Sequence, residues 1–265
     1  MQDLGLEMSI KPPKFRTKLA QTDDELFAAQ RLRYRVFVQE LGGSGDQVDH
    51  DRMIECDRFD PHYDHLLLID DHAPDDVPLG VVGVYRLLRG QHLAQVGQFY
   101  SEHEYDLTPL HHCGQRLLEL GRSCLDQRYR SGMGMFVLWQ ALADYVVAHD
   151  IQILFGVASF AGTDIAQLAP ALTALHHKHL APPHLRVQAR PPHNQPMDLV
   201  DIDRLDRKSA MRQVPALIKA YLRLGGVIGQ DAYVDHQFNT TDICMILDIQ
   251  NMNEKQIALF QRDRF

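Results

Sequence analysis

Residues 117–161 read LLELGRSCLDQRYRSGMGMFVLWQALADYVVAHDIQILFGVASFA, and this stretch decides the fold. An apolar run at 117–125 leads into a polar, glycine-bearing segment at 126–134, a densely apolar segment at 135–149 and a second apolar run at 151–160. Two short apolar runs separated by about four helical turns predict strand, loop, buried helix and strand. Gly132 and Gly134 stand where the helix is about to begin. The N–H groups of a first helical turn lack partners inside the helix, so glycines there let an anion approach the backbone. Arg128, Arg130, Ser131, Gly132, Met133 and Gly134 are therefore the candidate cradle for a ligand phosphate, with the two arginines placed to hold the same anion. The other reading is a turn that needs positive φ.

Outward from this unit, the bulk properties narrow the choices. A chain of 265 residues can bury one good core and is near the limit of a single domain. Its 45% hydrophobic and 23% charged residues are those of a globular protein. No signal-peptide pattern opens the sequence and no apolar run approaches the roughly 20 residues of a bilayer span, so a cytoplasmic location is expected. Cys56, Cys113, Cys124 and Cys244 have no CxxC spacing, which suggests neither a disulfide framework nor a structural zinc site. His111, His112 and Cys113 are adjacent rather than at ligand spacing, and no metal is expected. A net charge of -8 argues against general nucleic-acid binding, so an acidic partner must meet a local basic patch.

In chain order, residues 1–20 carry Lys11, Lys14, Arg16 and Lys18 around two prolines and read as a loosely ordered arm. Thr22 with Glu25 three residues on is a capping box, which predicts a helix from about Asp23 to Phe37 or a little beyond. Arg31, Arg33 and Arg35 lie off its apolar stripe, on a face that reads as solvated. Residues 41–50 are glycine-rich and polar, and acids then gather at Glu55, Asp57 and Asp60. Apolar runs at 65–70 and 79–88, joined by an Asp- and Pro-rich segment, predict an antiparallel hairpin with Arg86 in its second strand. A helix is expected from a Gly162–Asp164 cap to about His179, another over 215–225, and a closing strand over 243–249. One domain is expected over 21–250, with a tail at 251–265.

The strand, glycine loop and helix resemble the acyl-carrier loop of the GNAT acyltransferases. That family's loop usually opens with Gln or Arg three residues before its first Gly, where this chain has Tyr129. Arg33 and Phe37 in LRYRVFV, Glu55, Asp57 and Asp60 in ECDRFD, Arg86 in YRLL, Phe99, and Glu119 and Arg122 in LELGRS resemble the signature set of the acyl-homoserine-lactone synthases. The tryptophan that those synthases carry six residues after their Phe is absent; Gly43 stands there. LFGVASFAGTD, LHHKHLAP, IKAYLRLGG and DHQFNTTDICMILD resemble the ornithine N-acyltransferases that make lyso-ornithine lipid, and this resemblance spans roughly 27–250.

The resemblance implies an α/β (α+β) fold: a GNAT-like mixed central sheet, largely antiparallel, flanked by helices, with splayed strands at about 117–125 and 151–160. It also implies transfer of a (3-hydroxy)acyl chain from acyl carrier protein to the α-amino group of L-ornithine. No cofactor is expected beyond the acyl-phosphopantetheine that the carrier brings as co-substrate. Peripheral contact with the inner membrane surface fits an amphiphilic product. The alternatives are an acyl-homoserine-lactone synthase using S-adenosylmethionine, and a noncatalytic module that binds acyl carrier protein.

An amine attacks a thioester only as the free base, so the chemistry asks for a carboxylate near the amine and N–H donors for the developing oxyanion. Glu119, a charged residue in an apolar strand, is the candidate carboxylate. Residues 119 and 122 of a regular strand point to opposite faces. A bulge, with Gly121 the obvious place, would bring both to one site and free a backbone N–H over 122–125. Glu119, Arg122 and Ser123 are thus the candidate catalytic positions. Arg33, Phe37, Glu55, Asp57, Asp60, Arg86 and Ser159 are assigned to substrate; the rival for the charged ones is an ion-pair network pinning the first helix over the sheet.

Overall fold

Alternation along one strand orients the whole sheet. In Asp64–Asp70, Leu67 and Ile69 pack beneath the first helix, while Leu66 and Leu68 face the helix that follows the glycine loop. Side chains two apart share a face, so a run apolar at both parities must be covered on both sides. The computed structural model describes residues 12–253 and 255. The strands of its main sheet are β1 (Phe15–Leu19), β2 (Asp64–Asp70), β3 (Val81–Arg89), β4 (Leu117–Leu125), β5 (Ile153–Ala161), β6 (Asn194–Gln195), β7 (Val227–Ile228), β8 (Ala232–Asp235) and β9 (Thr240–Asp248). They form one sheet in the order β1-β2-β3-β4-β5-β9-β8-β6, with β7 also paired to β9. The only parallel pair in it among the described residues is β4 with β5; the rest are antiparallel.

Among the described residues, the α-helices longer than one turn are α1 (Asp23–Arg33), α2 (Gly134–Ala148), α3 (Ile165–His179), α4 (Arg207–Gln213) and α5 (Ala216–Arg223). α1 lies on one face, and segments around Phe99, Tyr105, Leu185 and Val187 close the rest of that face over β5 and β9. α2, α3 and α5 share the other face, with Leu138, Leu142, Leu172 and Ile218 in one continuous core. Fully buried leucines such as Leu138 each contribute roughly 1.5–3 kcal/mol. The expected GNAT-like mixed sheet, largely antiparallel and flanked by helices, is the observed architecture.

Two expectations are corrected. Residues 15–19 are not part of a loose arm but the edge strand β1, in register from Phe15 opposite Asp70 to Leu19 opposite Leu66; alternation too weak to read in five residues is supplied by the partner strand. Residues 1–11 and most of the expected C-terminal tail lie outside the described residues. The first helix starts as predicted, with the Thr22 side chain accepting from Glu25 N–H at 3.3 Å, although Glu25 returns its bond to Gln21 N–H at 2.8 Å. From Tyr34 to Glu40 it widens into a π-helical turn. Such turns cluster at functional sites because the extra residue re-aims the side chains. Here Phe37 lines a cavity beside β4 and β5, and Arg33, expected on a solvated face, is fully buried.

Candidate active site

The parallel ladder between β4 and β5 lasts three residues. Leu117, Leu118 and Glu119 pair with Ile153, Leu154 and Phe155, and the strands then part. Gly156 marks the point of parting: a Cβ there would lie 2.1 Å from the Leu120 carbonyl oxygen, so only glycine permits the approach. Into the gap opens a cavity of about 280 Å³. Leu154, Leu217, Tyr221, Met245 and Leu247 line an apolar part of it, and Arg86, Glu104, Glu119, Arg122, Asp235 and Asp242 contribute charged groups. Gly156→Ala is expected to lower kcat by about 10²-fold, because a displacement of order 1 Å at a reacting centre costs that much. Steady-state kinetics beside a melting curve measures it, and an unchanged kcat would mean that the gap tolerates wider spacing.

A bulge lies on the other side of β4. Val84 pairs with Cys124 and Arg86 with Gly121, so Arg122 and Ser123 together oppose Tyr85. The irregularity falls one residue later than the obvious glycine: Gly121 keeps its partner, and Arg122 takes φ 50°. Positive φ in a residue with a side chain costs on the order of 1–3 kcal/mol and persists only where surroundings enforce it. The surroundings are specific. The Arg122 guanidinium donates to Glu55 at 3.0 Å and Gln47 at 2.5 Å, and lies 4.6 Å from the Tyr100 ring and 5.5 Å from that of Phe238. As a result Glu119, Arg122 and Ser123 all line the cavity, and the 122–123 backbone stands outside both regular ladders.

Glu119 does not pair with Arg122. Its Oε2 accepts from the Tyr63 hydroxyl and from Tyr100 N–H at 2.9 Å, and its Oε1 from Ser101 N–H at 2.6 Å. A carboxylate oxygen has two lone pairs, so Oε1 keeps one unused. Burial and the neighbouring carboxylate push the Tyr63 hydroxyl well above its usual range, which keeps it a donor.

Arg33, Glu55, Asp57 and Asp60, assigned to substrate from the sequence, do not line the cavity. They close an ion network with Arg86 and Arg122. Arg33 reaches Glu55 Oε2 at 2.5 Å and both Asp60 oxygens at 2.8 Å; Arg86 Nη1 reaches Asp57 at 2.7 Å and Asp60 at 2.9 Å. Arg33, Glu55 and Arg86 are fully buried. Charges without solvent must find one another, and these six pin α1 to β3 and β4. Burial alone would raise Glu55 and Asp60, but the surrounding guanidinium groups overcome it and hold both carboxyls below the usual range. Arg86 lines the cavity, as Arg122 does, but differs from the other two arginines in that its Nε and Nη2 have no hydrogen-bond partner among the described residues. A Cβ on Gly121 would sit 3.9 Å from that Nε, and both unpartnered nitrogens are buried.

None of Arg128, Arg130, Ser131, Gly132, Met133 and Gly134 lines the cavity; they stand at the start of α2. Arg128 is tied to Asp126 and Asp76, and Arg130 to Glu40 at 2.6 Å. Gly132 and Gly134 do not adopt positive φ, which removes the turn explanation for them, and space around Gly132 is open. Tyr129 turns inward to Asp70 at 2.9 Å and offers nothing to a ligand. Ser159 lines the cavity opposite Asp242 in the β5–β9 register.

Residues that sequence reasoning missed complete the site. Phe238 explains Gly43: a Cβ at residue 43 would meet the Phe238 ring at 3.0 Å and the Phe37 carbonyl at 2.8 Å, so an aromatic from a distant turn occupies this place. Tyr63, Tyr100 and Ser101 hold Glu119, and Glu104, Asp235 and Asp242 add three acids. A signal existed for Asp242, a charged residue within an apolar strand; Glu104 sits in a loop and had none.

Comparison with known proteins gives the family. The acetyltransferase (GNAT) domain family matches residues 32–140. A protein of Rhodobacter capsulatus named L-ornithine N(alpha)-acyltransferase is 53% identical over 255 residues, covering 96% of this chain and 98% of the relative. The chain belongs to the L-ornithine N(alpha)-acyltransferase family. A further member, from Brucella abortus, is 39% identical over 245 residues, or 92% of this chain and 87% of its own length. Membership makes the chain an N-acyltransferase rather than a noncatalytic module. Two solved structures share the fold of this ornithine acyltransferase family member. FeeM, an N-acyl amino acid synthase from uncultured soil microbes, has TM-score 0.50 and 12% identity over 91% of this chain and 93% of its own. BjaI, a CoA-dependent acyl-homoserine lactone synthase, has TM-score 0.50 and 12% identity over 94% and 88%.

Proposed function

We propose that this chain transfers a (3-hydroxy)acyl chain from acyl carrier protein to the α-amino group of L-ornithine, forming lyso-ornithine lipid. The observation that carries the reading is the 53% identity, over nearly the whole of both chains, to a relative named for ornithine acylation. The site offers each group the reaction needs. The unpartnered Nε–Nη2 edge of Arg86 matches the bidentate geometry of the amino-acid carboxylate. The acyl-pantetheine arm enters where β4 and β5 part, with its phosphate toward the backbone N–H groups at residues 131–134 and the arginines beside them. Its acyl chain runs toward Leu217, Met245 and Leu247.

Glu119 Oε1 accepts the proton of the attacking amine. Nitrogen then bonds to the thioester carbon, and the oxyanion is met by the N–H groups released at the Arg122–Ser123 bulge. The C–S bond breaks, and the thiolate leaves with the proton returned from Glu119. No helix among the described residues is long and apolar enough to cross a membrane, so delivery of the amphiphilic product to the inner membrane would be by peripheral contact.

Purified protein incubated with acyl carrier thioester and ornithine, lysine, glycine or S-adenosylmethionine tests the reading by mass spectrometry. N-acylornithine is expected as the dominant product. Methylthioadenosine release from S-adenosylmethionine would turn the reading to an autoinducer synthase, and equal rates with acyl coenzyme A would overturn carrier dependence.

A further inference from the structure

We infer that Glu104, Asp235 and Asp242 form a subsite for the side-chain ammonium of a diamino-acid acceptor. The inference rests on the proposed transfer to such an acid and adds the residues that would select it. One carboxylate oxygen from each of the three lies within 4.8 Å of those of the others. They come from three places in the chain: a loop before the strand-like pair at 105–106, the end of β8, and the interior of β9.

The cluster is largely buried and has no internal counter-charge bonded to it among the described residues. Glu104 is 5% exposed and Asp242 4%, yet Glu104 Oε2 and Asp242 Oδ1 have no hydrogen-bond partner among the described residues. None of the three forms an ion pair among the described residues; Glu119, the other strongly buried acid lining the cavity, has no ion pair either but is held by three hydrogen-bond donors. Arg122, whose charge reaches both Glu104 and Asp242, is already held by Glu55 and Gln47. Asp235 is positioned by Gln237 and Phe238 N–H groups at 2.7 and 3.0 Å, and Asp242 by the Thr240 hydroxyl at 3.2 Å. Burial and their mutual repulsion push Glu104 well above its usual range; burial pushes Asp242 up to about 6, against the pull of the Ser159 hydroxyl. Adjacent buried carboxylates without a counter-charge are costly, and a cation placed among them removes the cost.

An ammonium carries three donors and no acceptor, which suits three converging carboxylates. All three acids line the same cavity as Arg86 and Glu119. The cavity therefore presents one free guanidinium edge, one carboxylate beside the strand opening, and a separate acidic cluster. A diamino acid carries one carboxylate and two amines, and its charges match these three places one for one.

The test compares ornithine with norvaline, which has the same carbon skeleton without the terminal amine. Wild-type protein is expected to favour ornithine in kcat/KM by at least about 10²-fold, as sites built to bond a polar group reject an analogue lacking it. Asp242→Asn and Glu104→Gln are expected to bring that ratio close to one, chiefly by raising KM for ornithine, with KM for the acyl donor little changed. Their melting temperatures are expected to hold or rise, because each removes an unpaired buried acid. Equal use of norvaline by the wild type, or equal losses on both acceptors in the variants, would overturn the subsite. So would inactivation by chelator with recovery on adding a divalent metal. Calorimetric titration of ornithine and norvaline decides the subsite even without turnover: selective binding of ornithine by wild type, lost in Asp242→Asn, supports it, and equal binding overturns it. Absence of N-acylornithine would by contrast fall on the proposed reaction.

Discussion

Replacing Glu119 by Gln is expected to lower kcat by about 10²–10⁴-fold, the range of a lost general base, with KM for the acyl donor moving far less. Three donors fix this carboxylate, and Oε1, bonded only to Ser101 N–H at 2.6 Å, keeps a lone pair. In the variant one oxygen becomes an amide nitrogen, which cannot accept from the Tyr63 hydroxyl, Tyr100 N–H or Ser101 N–H in its place. A stability loss of about 1–3 kcal/mol accompanies it, the usual cost of a stranded buried donor. Tyr63→Phe separates the two effects, since it removes a donor and leaves the carboxylate. A much smaller loss of kcat is expected there. Should Glu119→Gln keep turnover within tenfold of wild type while melting lower, Glu119 would be an anchor for the 99–101 segment and the proton would leave by another route.

The second large effect belongs to the ion network. Arg33→Leu is expected to destabilise the fold by about 3–5 kcal/mol, because removing one member of a buried ion network strands its partners. Glu55 and Asp60 would be left to share Arg86 and Arg122. For a chain of this size the melting temperature should fall on the order of 10 °C. An Arg33 that contacted substrate would instead raise KM for the amino acid at unchanged melting temperature. Chemical denaturation and kinetics on the same sample distinguish these outcomes, and the fully buried, four-bonded side chain predicts the first.

Much of the scaffold was legible because it is local. The β4–loop–α2–β5 unit follows from apolar run lengths, and α1 and α3 begin at the caps that Thr22 and Asp164 supply. The hairpin of β2 and β3 is written in two apolar runs around a turn. The acids at 55, 57 and 60 were visible as a cluster, but a cluster of acids reads alike whether it meets solvent, substrate or buried arginines. Only the packing of α1 over β3 brought Arg33 and Arg86 to them, and burial then turned candidate ligands into a clamp.

What the sequence alone determined is the order and type of the longer elements and the kinship of the chain, because hydrophobic period, caps and motifs are properties of neighbours. What the tertiary structure decided is which charges remain free. Arg86 offers an edge because no residue in its surroundings takes it, Glu119 shares a cavity with Arg122 because the strand bulges at 122–123, and Glu104 meets Asp242 across well over a hundred intervening residues. Pairing and desolvation depend on distances through space, and no stretch of chain records them.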